Sequence, residues 1–207
     1  MLLAFDTASP TVTVALHDLR EVVATATSAQ GMKHGEQLAP LVEQVLAEGG
    51  ARPADLTGIA VGVGPGPFTG LRVGLVTART MAHVLGVPVH GVCSLDALAL
   101  EAVAAGTVTG DFVVASDARR KEVYVASYDA QGARRDDPVV DKPAVLATDG
   151  PVVGEGARLY PESFPDARGP ERPSAAWLAR GVVEGRVRVL PPEPLYLRRP
   201  DAVASPR

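Results

Sequence analysis

Thirteen residues, Gly62-Val-Gly-Pro-Gly-Pro-Phe-Thr-Gly-Leu-Arg-Val-Gly74, constrain this chain more than any others. A strand-like run, Gly58-Ile-Ala-Val-Gly62, leads into a loop of alternating Gly and Pro, and a helical pattern follows at once. Loop glycines reach φ > 0 or let an anion or another backbone come close, while the prolines stiffen the turn. Phosphate-binding turns are built this way, with free N–H groups at a helix N-terminus. The residues after the loop point elsewhere. Gly70, Gly74, Ala78 and Ala82 recur every fourth position, a strip of small side chains along one helix face. Each glycine costs about 1 kcal/mol of helix propensity relative to Ala. Close approach of another element offsets that, either the chain's own sheet or a second helix packed along an i±4 ridge. The expectation adopted is a partner surface, shared with Leu38, Leu41, Val42 and Val45 of the preceding helix.

The elements around the loop set the order. Leu2–Phe5 reads as a buried strand ended by Asp6-Thr-Ala-Ser-Pro10, Thr11–Leu16 alternates as a second strand, and Glu21–Ser28 makes a third. Leu38, Leu41, Val42, Val45 and Leu46 follow the spacing of an amphipathic helix over Glu36–Leu46, stopped by Gly49-Gly50. Pro40 must then lie in the first turn or kink the helix. Next come a strand at Thr57–Gly62, a helix at Thr69–Leu85, a strand at Val87–Val92 and a helix at Leu95–Ala104 with Ser94 as its N-cap. Three meander strands followed by crossovers give β-β-β-α-β-α-β-α. The second half repeats the plan weakly, with strands at Phe112–Ser116, Glu122–Tyr128 and Val152-Val153 and a helix within Glu171–Val183. These elements divide as a lobe of residues 1–106, a smaller one of 107–198, and a disordered tail of 199–207.

Composition excludes several classes. No apolar run approaches the roughly 18–20 residues that span a bilayer. The N-terminus lacks a basic n-region, and the single Cys93 suits a reducing cytoplasm rather than a disulfide framework. Net charge is −4, and of the 20 Lys and Arg only three are lysine. An acidic chain does not suit a stand-alone nucleic-acid binder, so Arg119-Arg-Lys121 and Arg198-Arg199 read as solvated charge.

Chemistry finds little support. The histidines, His17, His34, His83 and His90, form no i, i+4 pair, so no metal site is expected. Neither Gly-x-Ser-x-Gly nor His-Glu-x-x-His occurs, nor a Gly-x-x-x-x-Gly-Lys-[Ser/Thr] loop. Asp6, Thr7, Gly64, Gly66 and Thr69 could reach phosphates, and Val152-Val-Gly154-Glu-Gly156 weakly echoes an adenosine-binding turn. These read as a vestigial nucleotide pocket, with no cofactor. Asp117 and Arg119 read as a structural pair across a turn.

The meander-then-crossover order with its Asp-Thr turn resembles the ribonuclease-H-like unit of the actin, Hsp70 and sugar-kinase superfamily. That implies an α/β protein of two such lobes, the second reduced. Leu3-Ala-Phe-Asp-Thr-Ala8, His34 and Glu36 before Leu38-Ala-Pro-Leu41, the Gly62–Gly74 string, Ser116-Asp-Ala-Arg-Arg-Lys-Glu-Val-Tyr124 and Leu195-Tyr-Leu-Arg198 occur together in this order. The set resembles the TsaB (YeaZ) family of bacterial threonylcarbamoyl-adenosine tRNA modification, strongly as far as Tyr128. The resemblance implies a non-catalytic scaffold and activator of TsaD in the cytoplasm. By the same resemblance it would bind TsaD through a helix bundle, be joined by TsaE, meet tRNA indirectly and form a homodimer when alone. TsaD, the catalytic paralogue, carries a His-x-x-x-His pair where this chain has Ser94 and Leu98. The alternative reading is an autonomous ATPase or a metal-dependent glycoprotease-like hydrolase of the same superfamily.

Overall fold

In a computed structural model that describes residues 1–29 and 34–198, the chain builds two five-stranded sheets of identical strand order. The expected disordered tail, 199–207, lies outside the described residues. In the first sheet β1 (Leu2–Asp6), β2 (Thr13–His17) and β3 (Val22–Thr27) form an antiparallel meander. After a helix, α1 (His34–Glu48), β4 (Gly58–Gly64) pairs parallel with β1; after α2 (Phe68–Leu85), β5 (Val89–Cys93) pairs parallel with β4. The order is β3-β2-β1-β4-β5.

Strand alternation distributes the core to both faces. Leu3 and Phe5 of β1 join Leu38, Val42 and Val45 of α1 and Leu71 and Leu75 of α2. Leu2 and Ala4 point to the other face, where they meet Leu178 and Ala179 of the last helix, α5 (Ala175–Val183). Edge strand β3 covers only one face, which explains its alternating burial.

The second sheet contains β6 (Phe112–Asp117), β7 (Val123–Tyr128), β8 (Val139–Asp141), β9 (Val152–Val153) and β10 (Ala167–Arg168) in the order β10-β9-β6-β7-β8. Its first three strands are again antiparallel and its last two parallel, so both sheets have the ribonuclease-H-like topology and the second is the reduced copy. Three elements carry no sequence signal: β8, β10 and α4 (Glu155–Leu159), of 3, 2 and 5 residues. Such lengths are too short for periodicity to show.

Two details differ from the sequence reading. Pro40 sits in the second turn of α1, because the helix begins at His34 and not at Glu36. Ser94 is the first residue of α3 (Ser94–Ala104), with Cys93 in the cap position, which frees the Ser94 hydroxyl for another partner. As expected of a helix stop, Gly86 closes α2 at φ 67°, its N–H donating to the Ala82 carbonyl.

The helices exchange between sheets. α5 follows the second sheet in the chain but packs on the first, while α3 follows the first and touches β6 and β7. A C-terminal strap then ties both: Leu190 bridges Gly91 at the edge of β5, Leu195 N–H donates to the Val63 carbonyl (2.8 Å), and Arg198 Nη1 donates to the Ala118 carbonyl (2.8 Å). Among the described residues no helix is long and apolar enough to cross a membrane.

Leu178, fully buried between α5 and the first sheet, tests this exchange. Leu178→Ala is expected to cost about 3 kcal/mol in urea unfolding. A loss below about 1 kcal/mol would show that α5 does not complete this core.

Candidate functional site

The turn after β1 and the Gly/Pro loop after β4 meet where the two sheets face each other. Asp6 is 1% exposed. Its carboxylate accepts from Ala8 N–H at 2.7 Å and from Ser94 Oγ at 2.5 Å. A Cβ at Gly62 would lie 1.9 Å from Asp6 Oδ2, so only glycine admits the carboxylate there. Burial raises the Asp6 pKa above the usual carboxylate value, against the lowering effect of both hydrogen bonds. Thr7 is fully buried and its hydroxyl donates to the Gly70 carbonyl at 2.8 Å. A Cβ at Gly70 would lie 2.3 Å from the Thr7 carbonyl oxygen, and one at Gly74 2.4 Å from Thr7 Oγ1.

The small-residue strip is therefore the seat of the chain's own β1 turn. Gly70, Gly74, Ala78 and Ala82 are buried, as are Leu38, Val42 and Val45, and Leu41 is half-buried against the same core. This corrects the expectation for these positions: in the structure they face the chain's own core and β1 turn rather than solvent. The outward ridge of α2 runs through Phe68, Arg72, Val76, Thr80 and Val84, also at i+4. It is offset by two residues, about 200° around the helix. Phe68, Val76 and Val84 are 45%, 60% and 77% exposed.

Of the residues assigned to a vestigial nucleotide pocket, Asp6 and Thr7 stand in the β1 turn, Gly66 lies against Ala8 of that turn with Gly64 beside it, and Thr69 is exposed on α2. The cleft between Ala8, Pro65, Ser94, Asp117, Glu155 and Pro173 has room for about 20 Å³. That is space for about one water molecule. Ser9, on its rim, holds His34, whose Nε2 lies 2.8 Å from the Ser9 carbonyl oxygen. Glu155 and Glu171 are occupied by Arg172 (2.9 Å) and Arg158 (2.7 Å).

Behind the cleft lies a polar cluster that sequence reading missed. Tyr128 donates to Asp96 Oδ1 at 2.7 Å, and Arg134 Nε lies 3.0 Å from the same oxygen, an ion pair without hydrogen-bond alignment. Cys93 beside it is fully buried, which pushes its thiol far above the ordinary range and leaves it unreactive. Leu98 is buried in the core. Among the described residues no group of three or more His, Cys, Asp or Glu is placed to hold a metal ion.

The β6–β7 connection is strained. Arg119, Arg120 and Lys121 have φ of 60°, 56° and 61°, three L-residues in the left-handed region. This conformation costs about 1–2 kcal/mol per residue. The expected Asp117–Arg119 pair is present, the Arg119 N–H donating to Asp117 Oδ1 at 2.8 Å and its Nε lying 3.5 Å from Oδ2.

Comparison with known proteins places these features. Residues 21–166 match the family described as TsaD, tRNA N6-adenosine threonylcarbamoyltransferase. Protein Rv3421c of Mycobacterium tuberculosis is 42% identical over 205 residues, spanning 97% of this chain and 93% of that one. The tRNA threonylcarbamoyladenosine biosynthesis protein TsaB of Bacillus subtilis is 30% identical over 227 residues, 99% of this chain and 96% of that one. Among solved structures, YeaZ from Pseudomonas aeruginosa superposes with a TM-score of 0.77 at 29% identity, covering 95% of this chain and 99% of that chain.

Two measurements test the site geometry. With its folded pKa raised, Asp6 keeps its proton in the native state after the unfolded chain has lost it, so stability falls as pH rises from about 4 towards the raised pKa. Asp6→Asn lacks this dependence, and its stability relative to the native chain should climb across that window in urea melts. A flat difference would mean the carboxylate is ionised in the fold at no cost. Separately, Arg119→Gly should stabilise the protein by about 1 kcal/mol by removing one left-handed L-residue; unchanged or lower stability would contradict the strained turn.

Proposed function

The chain belongs to the TsaB family, and we propose that it serves tRNA N6-threonylcarbamoyladenosine biosynthesis as a non-catalytic subunit that binds and activates TsaD. The observation that carries this reading is the outward ridge of α2, where Val76 and Val84 stand in solvent at 60% and 77% exposure. Beside it on α1, Ala39 and Ala47 are exposed and small enough for a partner helix to approach closely. Helices of 15 and 18 residues side by side can offer the roughly 800 Å² per partner that a stable complex requires. A partner helix pair on this face completes a four-helix bundle.

The site chemistry supports an accessory role. Each Asp6 carboxylate oxygen accepts one hydrogen bond from the protein, from Ala8 and from Ser94, and the cleft beside it has room for about one water. An autonomous ATPase or hydrolase of the same superfamily needs that cleft open and those groups facing substrate. Activation without catalysis follows from linkage. A subunit that binds the competent conformation of TsaD more tightly than the others shifts the TsaD population by that difference in affinity. In this assembly TsaE joins the pair and TsaD holds the tRNA. When TsaD is absent, the same ridge serves a second copy of this chain.

Val76→Arg and Val84→Arg, both on the solvent side, should leave stability within about 0.5 kcal/mol of the native chain. Each should lower co-elution with TsaD and the yield of modified tRNA in a reconstituted reaction by about tenfold or more, a loss of one anchor contact. Undiminished co-elution of both variants would reject the ridge as the contact face. Loss of co-elution with unchanged tRNA modification would reject the activator role.

A further inference from the structure

A groove of about 350 Å³ runs between the start of α2, the β6–β7 turn and the C-terminal strap. One wall is aromatic. Phe68 and Tyr196 stack with ring centroids 5.2 Å apart and planes inclined by 24°, yet remain 45% and 42% exposed. The Arg72 guanidinium lies 5.1 Å from the Phe68 centroid. The opposite wall is cationic. The left-handed turn presents Arg119, whose side chain is 64% exposed, and Arg198 crosses from the strap with its guanidinium 6.0 Å from the Tyr124 ring. Asp117 and Glu122 are the neighbouring carboxylates, pairing with Arg119 and Arg198. With Arg72 over the aromatic wall and Arg120 also lining the groove, the arginines of this region outnumber these two carboxylates, although the chain as a whole carries −4.

A flat apolar platform on one side and guanidinium groups on the other suit a ligand that separates ring from anion. An unpaired nucleotide does so, its base free to stack and its phosphates free to meet cations. We propose that this groove binds a short stretch of single-stranded RNA. A base extends the Tyr196–Phe68 stack, and a phosphodiester meets Arg119, while Arg198, held by Ala118 and Glu122, adds charge from the groove wall. The inference rests on the tRNA-directed role proposed above and gives the chain its own hold on the RNA, beyond any contact made through TsaD. Arg119 and Arg198 come from segments 79 residues apart, and neither basic cluster marks such a site alone.

Fluorescence anisotropy of the full chain with a 5′-fluorescein octaadenylate RNA tests it, at several salt concentrations. Binding should weaken with salt at a log–log slope of about −0.7 for each phosphate held. Tyr196→Ala should weaken binding about tenfold and leave that slope unchanged. Arg119→Gly should reduce the slope by about 0.7, and because it relieves the left-handed backbone the loss cannot be assigned to unfolding. Lys121→Gly makes the same kind of backbone and charge change outside the groove lining, and should weaken binding less than about twofold. Absence of octamer binding overturns the proposal. So does competition by AMP or by a glutamate-rich peptide at the octamer's own concentration, equal losses in Arg119→Gly and Lys121→Gly, or native affinity in Tyr196→Ala. Both groove variants should co-elute with TsaD as the native chain does. Failure here therefore stands apart from failure of the α2 ridge, which Val76→Arg probes with RNA binding intact.

Discussion

The first lobe is arranged around a turn approached so closely by several glycines that none of them could carry a side chain. Asp6 and Thr7 are pressed between Gly62 on β4 and Gly70 and Gly74 on α2, each approach shorter than a Cβ allows. The contact fixes how α2 lies on the sheet, because the Thr7 hydroxyl is bonded to the Gly70 carbonyl and the helix cannot rotate without breaking it. It also accounts for two glycines inside a helix, whose propensity cost close packing offsets. Since the helix can present only one face inward, seating the turn is what sends Val76 and Val84 outward.

The same contact sets where the Asp6 carboxylate points. In a ribonuclease-H-like fold the turn after the first strand opens between the lobes, where a carboxylate could face a ligand. Here the carboxylate faces the protein, held by Ser94 at the start of α3 and by the backbone of its own turn. Ser94 reaches it because the hydroxyl is not spent on capping its helix. The strap from Leu190 to Arg198 then bonds to both lobes, so the closed arrangement is tied at its outer edge as well as at its centre. Exchange of α3 and α5 between the sheets adds a third tie, made of packed apolar side chains.

Legibility followed length and period. The meander, the crossovers and all four longer helices could be read because each has enough residues for a period to repeat. The strip at Gly70, Gly74, Ala78 and Ala82 was visible for the same reason, yet its direction was not. A four-residue repeat says that one face is small, and a face may be small because a sheet, a turn or another molecule lies against it. Choosing among these needs the position of Thr7, which is 63 residues away from Gly70 along the chain. The Asp96–Tyr128–Arg134 cluster was illegible on similar grounds, its members scattered over three elements. Arg119 and Arg198 looked like solvated charge until a hairpin turn and a strap set them on one groove.

What the residues determine unaided is local and repetitive: buried strands from continuous apolar runs, helices from a 3.6-residue period, stops from glycine and proline, and a family signature carried by short strings in order. These depend on neighbours within a few turns or one strand, and the chain keeps them wherever it folds. Only the tertiary structure decided which side of α2 faces solvent, whether Asp6 meets a ligand or a serine, and which arginines share a groove. Those outcomes depend on distances between segments that lie tens of residues apart, and such distances exist only once both sheets and the strap have closed.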